Sequence, residues 1–179
     1  MNKFLNKVVN LYRRKFWNAE KYAISMGVKI GKDCLISTKY FPSEAYLIEI
    51  GNCVRVARKV SFFTHGGLWS QRKKNGSLDY FGRIKIGNYV YIGESALIMP
   101  GVEIGDDVII GSGTTVTKSI SPGLIVAGNP ARVVGKTQDF VDRIKKISLN
   151  TYNMDPTEKK SFLLSLDDDK FIKKKLIKN

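Results

Sequence analysis

The sequence predicts an all-β solenoid: a parallel β-helix of hexapeptide repeats, flanked by helices at both ends. The first observation is an aliphatic residue at every sixth position, namely at Ile86, Ile92, Ile98, Ile104, Ile110 and Val116. The second is a small or apolar residue four places after each of these, at Val90, Ala96, Val102, Val108, Thr114 and Ile120. The third is a glycine directly after several of the aliphatics, as Gly87, Gly93, Gly105 and Gly111.

A period of six does not suit an α-helix, because each step of six residues turns the helix by about 600° and scatters the aliphatics over its surface. Short extended segments joined by tight corners do accommodate it, since glycine and Asn or Asp tolerate the backbone angles of a corner. The pattern extends upstream through Ile50, Val56 and Phe62, and Ile30 and Ile36 suggest an earlier coil. This run of matches favours a solenoid over an ordinary β-sandwich.

The repeat divides the chain into three segments. Residues 1–26 are predicted to form an amphipathic helix with Phe4, Val8, Leu11 and Tyr12 on one side. Residues 27–136 form the β-helix, and within it residues 64–83 are predicted to hold a long extruded loop that carries function. Residues 137–179 form a helical extension: a helix over 137–148, a second from Pro156 to Leu166, and a lysine-rich helix or tail from Lys170.

Composition limits the location of the chain. No stretch approaches the roughly 20 apolar residues that span a bilayer. Arg13, Arg14 and Lys15 interrupt the N-terminal apolar residues, so a cleaved signal peptide is not expected and the cytosol is the predicted compartment. Two cysteines, Cys34 and Cys53, make neither a disulfide framework nor a zinc ribbon, and both are expected to be packing residues.

The net charge of +14 is concentrated at the two ends of the chain. Residues 1–15 carry five bases and residues 170–178 carry five lysines. Such charge fits nucleic acid, an anionic membrane surface, an anionic ligand or simply a solvated basic face. No aromatic stacking rows or nucleic-acid motifs accompany it, so no nucleic-acid partner is predicted. A peripheral contact with the inner face of an anionic membrane remains one of the predictions.

Four further segments resemble the hexapeptide-repeat acyltransferases, and above all the bacterial sugar O-acetyltransferases of capsule and lipopolysaccharide synthesis. They are Ser-Glu-Ala-Tyr-Leu-Ile at 43–48, Phe-Thr-His-Gly-Gly at 63–67, Phe-Gly-Arg-Ile-Lys-Ile-Gly at 81–87 and Ala-Gly-Asn-Pro-Ala-Arg-Val-Val at 127–134. The resemblance implies a left-handed coil, assembly as a homotrimer, and acetyl-CoA bound in the groove between neighbouring β-helices. It implies an O-acetyltransferase that acts on a sugar hydroxyl of a surface polysaccharide or its precursor.

His65 matches the catalytic histidine of that family and is the one histidine in the chain. Imidazole accepts a proton near neutral pH, so it can serve as the general base that activates an acceptor for direct transfer in a ternary complex. A γ-class carbonic anhydrase, which resembles this fold, needs three histidines for zinc, so no metal is predicted. Either Glu44 or Asp79 is expected to orient the imidazole.

The resemblance also assigns ligand-binding residues. For acetyl-CoA these are Gly93, Ser112, Gly113, Thr117, Lys118 and Arg132, with the two cations expected to meet phosphates. The residues expected at the acceptor are Trp69, Asp79 and Tyr91. Two alternative functions stay open at this point. One is an N-acetyltransferase of an amino nucleotide-sugar, which needs the same base. The other is a non-enzymatic, basic β-helix that only binds a partner.

Overall fold

The computed structural model describes residues 3–176 of the chain, with side chains from residue 7 onward. In that range the helices are α1 Lys3–Phe16, α2 Ala19–Ser25, α3 Arg72–Asn75, α4 Thr137–Lys145 and α5 Pro156–Leu164. The strands are β1 Lys29–Ile30, β2 Leu35–Ile36, β3 Ile48–Ile50, β4 Arg55–Val56, β5 Ser61–Phe62, β6 Ile84–Ile86, β7 Tyr91–Ile92, β8 Leu97–Ile98, β9 Glu103–Ile104, β10 Ile109–Ile110, β11 Thr115–Val116, β12 Leu124–Ala127 and β13 Arg132–Lys136. Short 3₁₀ turns lie at Ala45–Leu47, Trp69–Gln71 and Asp168–Lys170.

The strands stack into three sheets that form the faces of a coil. Sheet A has the order β1-β3-β6-β9, sheet B the order β2-β4-β7-β10-β12-β13, and sheet C the order β5-β8-β11. Consecutive coils pair in parallel, as β3 with β6 and β6 with β9, whereas β13 returns antiparallel to β12. This is the parallel β-helix that the sequence predicts.

Coil length is visible in the residues that stack on one another. Asn88 and Asp106 are 18 residues apart, which is three hexads. Lys29 and Glu49 are 20 residues apart, so the link from the first coil to the second is longer. Asn52 and Asn88 are 36 residues apart, because residues 66–83 are inserted between β5 and β6. The two departures from the regular length fall where the first and second coils end.

The predicted aliphatic column fills the interior of the coil. Ile92, Ile98 and Ile110 are fully buried, and Ile86 and Ile104 are at most 4% exposed. The second slot of each hexad is buried as well, at Val90, Ala96, Val102, Val108, Thr114 and Ile120. Burying an aliphatic side chain of this size stabilises a fold by about 1.5–3 kcal/mol. The prediction of the core is therefore confirmed position by position.

The corners between sheets A and B explain the recurring glycines. Gly51 stacks on Gly87, where an added Cβ would lie 2.6 Å from the Gly87 carbonyl oxygen. The next residue in each corner forms a ladder: the Asn52 backbone N–H donates to Asn88 Oδ1 at 2.9 Å, and the Asn88 N–H donates to Asp106 Oδ1 at 2.6 Å. These side chains satisfy backbone donors that the corner leaves without a sheet partner.

The N-terminal segment differs from the single helix predicted over residues 1–26, because it contains two. Asn18 separates α1 from α2: its backbone is extended, at φ −63° and ψ 162°, and its side chain accepts from the Lys21 N–H at 2.8 Å. An N-cap of this kind starts a new helix and so ends the previous one. Tyr22 and Ala23 of α2 are buried against the coil, and α2 contacts β2. The predicted position of Phe4 lies outside the described side chains.

The chain divides into two compact units between Asp142 and Arg143. Helix α4, which follows β13, crosses this boundary and ends at Lys145 rather than at the predicted residue 148. In the second unit, α5 begins at Pro156 as predicted, with Asp155 accepting from the N–H groups of the next turn, and ends at Leu164. Residues 171–176 have no regular secondary structure, and the remainder of the predicted lysine-rich segment lies outside the described residues.

Candidate active site

His65 lies where the chain leaves the coil after β5. Its backbone forms an antiparallel bridge with Phe81, at the other end of the inserted segment 66–83. The two rings meet edge to face, with centroids 6.1 Å apart. The imidazole side chain is 48% exposed, so it is held at the surface of the coil and remains accessible to a substrate.

The base of the inserted segment is fixed to the coil by close backbone contacts. The Gly82 N–H donates to the Thr64 carbonyl oxygen at 2.8 Å. Gly82 also lies directly on Pro100 and Gly101, where an added Cβ would come within 2.2 Å of the Gly101 nitrogen. His65 is adjacent in sequence to Thr64, so these contacts define the position of the His65 backbone.

Glu44 lies in the longer link between the first and second coils and contacts His65. Its Oε2 lies 2.8 Å from His65 Nδ1 and accepts from the Thr64 hydroxyl at 3.1 Å. Its Oε1 accepts from the Ser43 hydroxyl at 2.7 Å. Thr64 is fully buried and the Glu44 side chain is 19% exposed, so the carboxylate is held in a partly desolvated place.

Burial raises the pKa of Glu44, but hydrogen bonds from Ser43, His65 and Thr64 outweigh burial and lower that pKa below its ordinary value. The carboxylate is therefore ionised at neutral pH. An ionised carboxylate can only accept, so the proton between the two groups belongs to Nδ1 of His65. In the neutral imidazole this leaves Nε2 with its lone pair, which is the tautomer that a general base requires.

The geometry separates the two carboxylates that the sequence offered as partners of His65. Asp79 forms an ion pair with Arg72 inside the inserted segment, whereas Glu44 contacts the imidazole. The extended link carries Glu44 to the corner beside Thr64, at the N-terminal end of the 3₁₀ turn Ala45–Leu47.

A cavity of about 400 Å³ contains His65 in its wall. The remaining lining residues are Arg14, Tyr22, Lys39, Tyr40, Phe41, Pro42, Ser61, Phe62 and Phe63. The sequence analysis did not identify these lining residues, although one feature of the sequence pointed to them. The cluster Tyr40-Phe41-Pro42 lies in the link between the first two coils, which is longer than the regular coil. The predicted acceptor residues are not in the wall of this cavity.

Those three residues occupy two separate places. Trp69 begins a 3₁₀ turn in the inserted segment, where it is 81% exposed, and Asp79 lies further along that segment. Tyr91 lies on β7, in register with Arg55 and Ile109 of sheet B, and is 40% exposed.

The predicted cofactor residues also fall into two groups. Thr117, Lys118 and Arg132 line one cavity of about 660 Å³, where the end of the third sheet meets the turn between β12 and β13. Gly93 and Ser112 stack at a corner between sheets B and C, and the Gly113 N–H donates to the Glu94 carbonyl oxygen in the same corner. A single copy of the chain therefore brings three of the six together in one cavity.

Within residues 3–176, no three His, Cys, Asp or Glu side chains gather where they could hold a metal ion. In the same range, no helix combines the length and the apolar character that crossing a bilayer requires. Both cysteines are free thiols, and Cys34 Sγ lies 3.2 Å from the Gly51 carbonyl oxygen.

Comparison with known proteins identifies the family of this chain. The family profile described as bacterial transferase hexapeptide (six repeats) matches residues 83–118. Protein CapG of Staphylococcus aureus is 41% identical over 144 residues, which are 78% of this chain and 84% of that protein. A maltose O-acetyltransferase structure from Clostridium difficile 630 superposes with a TM-score of 0.61 at 25% identity, over 75% of this chain and 89% of that one.

A galactoside acetyltransferase structure in complex with coenzyme A superposes with a TM-score of 0.57 at 25% identity, over 79% of this chain and 82% of that one. The protein is an enzyme of the acyltransferase class. It belongs to the bacterial hexapeptide-repeat transferase family. This membership decides against the alternative of a non-enzymatic binding module.

Proposed function

We propose that the protein transfers an acetyl group from acetyl-CoA to a hydroxyl of a sugar, in a surface polysaccharide or its precursor. The observation that carries this proposal is the Glu44–His65 pair, in which an ionised carboxylate 2.8 Å from Nδ1 leaves Nε2 free to accept a proton. The imidazole forms part of the wall of a cavity large enough for one sugar unit. The sugar O-acetyltransferases among similar structures support the choice of acceptor.

In the proposed reaction His65 is the general base. Nε2 removes the proton of the acceptor hydroxyl while the hydroxyl oxygen attacks the thioester carbonyl. Glu44 stabilises the imidazolium that results, because an opposite charge in contact favours the charged form. The C–S bond then breaks, and the imidazolium returns its proton to the departing CoA sulfur. The products are an acetyl ester and free CoA, and the enzyme returns to its starting state.

Acetyl-CoA is proposed to bind along the edge where sheet C ends. His65 follows β5 and Lys118 follows β11, two strands further along the same sheet. Neighbouring strands are 4.7–4.9 Å apart, so the two residues are separated by roughly 10 Å along the coil axis. Lys118 and Arg132 would pair with CoA phosphates at one end, and the thioester would reach His65 at the other.

Gly93, Ser112 and Gly113 lie at a different corner, and assembly into a homotrimer is proposed to bring them to the same cofactor. In a homotrimer of left-handed coils, the corner between sheets B and C of one copy would face the neighbouring copy. It would lie opposite the edge where the neighbour's sheet C ends, which carries His65 and Lys118. Both groups of predicted residues would then line one groove. Each copy would contribute half of a CoA site, and a particle with the mass of one chain in light scattering would contradict this assembly.

The proposed location is the cytoplasm, at the inner face of an anionic membrane. Helix α1 contains no Asp or Glu, and Arg13, Arg14 and Lys15 lie in its last turn. Val8, Tyr12 and Phe16 lie on one side of the helix and are 48–63% exposed. A helix with an apolar side and a basic side binds at lipid interfaces. Binding there would bring the enzyme to a lipid-linked glycan precursor.

Acetyl transfer to defined acceptors tests the proposed activity. The purified enzyme is incubated with acetyl-CoA and either a methyl glycoside or the matching 2-amino-2-deoxy glycoside, and CoA release and product mass are measured. O-acetylation with an essential His65 supports the proposal. Acetylation confined to the amino group would replace it with the N-acetyltransferase alternative, and CoA release without an acetylated sugar would contradict both.

A further inference from the structure

The cavity beside His65 has a charge that the acetyl transfer itself does not require. Arg14 and Lys39 are in its wall, together with Tyr40 and Phe63, and the wall contains no Asp or Glu. Glu44 contacts His65 but does not line this cavity. The wall of the cavity therefore combines two cations with several aromatic rings.

Both cations are held in place by contacts that leave their charge uncompensated. Lys39 Nζ donates to the Arg14 carbonyl oxygen at 2.8 Å, which uses one of the three donors of an ammonium group. The Arg14 guanidinium lies 5.5 Å from the centroid of the Tyr40 ring. Within residues 3–176, neither side chain forms an ion pair with a carboxylate.

Two cations in the wall of one cavity, neither paired with a carboxylate among the described residues, favour an anionic ligand that compensates their charge. A guanidinium presents parallel N–H donors that match the two oxygens of a carboxylate or phosphate, and an ammonium group adds a point charge. The Phe63 side chain, which is 39% exposed, offers apolar surface for the C–H side of a sugar ring. The cavity volume of about 400 Å³ is sufficient for a monosaccharide unit.

We infer that the acceptor is an acidic sugar, whose carboxylate or phosphate binds Arg14 and Lys39 while one of its hydroxyls reaches His65. This inference rests on the proposed function, since it names the acceptor class of the same site. Arg14 belongs to α1 and Lys39 to the link after β2, so both lie outside the hexads that bind CoA in the proposal. Acceptor selection and acetyl-CoA binding would then depend on different parts of the chain.

The test compares matched neutral and acidic sugars. Binding of methyl β-glucoside, methyl β-glucuronide and glucose 6-phosphate to the full chain is measured by calorimetry, and kcat/KM for acetyl transfer is measured for each. The variants are Arg14→Gln and Lys39→Gln. Arg55→Gln and Lys32→Gln serve as controls, because they remove exposed cations that lie outside this cavity. Thermal melts verify that every variant is folded.

We expect the wild-type protein to bind at least one acidic sugar about 10-fold or more tightly than the glucoside. Loss of a charge-assisted contact should weaken that binding by about 10- to 100-fold in each of the two variants. Glucoside binding, acetyl-CoA binding and both controls should stay unchanged. The comparison of glucuronide with glucose 6-phosphate identifies which anion the pair of cations prefers.

Equal affinity for neutral and acidic sugars in the wild-type protein would overturn the inference, and so would unchanged acidic-sugar affinity in both variants. The outcome for the proposed function is separate. Selective binding of an acidic sugar that is never acetylated would uphold the anion site and contradict the proposed reaction. Equal acetylation of both kinds of sugar would uphold the reaction and contradict the anion site.

Discussion

The carboxylate of Glu44 and the imidazole of His65 are 2.8 Å apart, although 21 residues separate them in the chain. The longer link between the first two coils supplies the carboxylate, and the start of the inserted segment supplies the imidazole. Thr64 joins the two, since its buried hydroxyl donates to the same carboxylate oxygen that contacts the ring. The pair is therefore a product of the two places where the regular repeat is interrupted.

Replacement of His65 tests its role as the base. His65→Ala should lower kcat by about 10²- to 10⁴-fold, the usual scale of general-base catalysis. Acetyl-CoA affinity should change little, because the proposed phosphate contacts lie in other coils. Steady-state kinetics and calorimetry measure the two quantities. Cys34→Ala and Cys53→Ala are the controls and should keep most activity. An acetylated cysteine trapped in a rapid quench would indicate covalent catalysis instead.

Glu44→Gln tests the orientation of the imidazole. The amide keeps the size of the side chain but cannot stabilise an imidazolium, so kcat should fall while the KM for acetyl-CoA stays near the wild-type value. Asp79→Asn is the matched control, because Asp79 pairs with Arg72 and not with His65. Equal losses in both variants would mean that Glu44 has no special relation to the base.

The lowered pKa of Glu44 also predicts a pH dependence of stability. A carboxyl group with a folded pKa below its unfolded value stabilises the fold above the unfolded pKa, which is about 4.3 for Glu. That contribution disappears as the pH falls through the folded pKa. The difference in free energy of unfolding between wild type and Glu44→Gln should be largest near neutral pH and shrink below about pH 4. Urea titrations across this range measure it, and a constant difference would refute it.

Lys118→Ala and Arg132→Ala test the proposed site for CoA phosphates. Each should weaken acetyl-CoA binding about 10-fold, because a charge-assisted contact is lost, while kcat at saturating acetyl-CoA stays close to wild type. Lys32→Ala is the control, since Lys32 is an exposed cation outside that cavity. Equilibrium binding and saturation kinetics decide the question. Normal affinity in both variants would place the phosphates elsewhere.

Two glycines at the inserted segment form a matched pair for testing its base. An added Cβ at Gly82 would lie 2.2 Å from the Gly101 nitrogen, whereas at Gly67 it would meet nothing within 4 Å. Gly82→Ala should therefore cost about 1–3 kcal/mol of stability, as overpacking usually does, and lower kcat through displacement of His65. Gly67→Ala should leave both quantities near wild type. Equal melting temperatures for the two variants would show that the base can adjust.

The hexads determined how much of the fold was predictable. The strict spacing of six places Ile92, Ile98 and Ile110 at equivalent positions of successive strands, where their side chains are buried inside the coil. The position of His65 at the base of the inserted segment was also predictable, since its motif lies next to the second break in the pattern. The split of the N-terminal helix at Asn18 depended on a local N-cap, which helical periodicity alone does not reveal.

The cavity beside His65 was less predictable for a physical reason. Arg14 and Lys39 are 25 residues apart, and neither lies in a hexad, so no repeat fixes their mutual position. Their contact depends on how α1 meets the first coil, which is a tertiary arrangement. Likewise, the sequence did not decide whether Glu44 or Asp79 contacts His65. That choice depended on the length of the link between the first two coils and on the Arg72–Asp79 ion pair.

The antiparallel pairing of β13 with β12 affects whether copies of this chain can pair end to end through their sheets. A stack of parallel strands ends in a row of open N–H and C=O groups, which invites another chain to continue the stack into a fibre. At the last strand of sheet B, those groups are already occupied by β13 of the same chain. At the opposite end of the coil, α2 lies against β2. Lengthwise polymerisation through sheet B is thereby disfavoured.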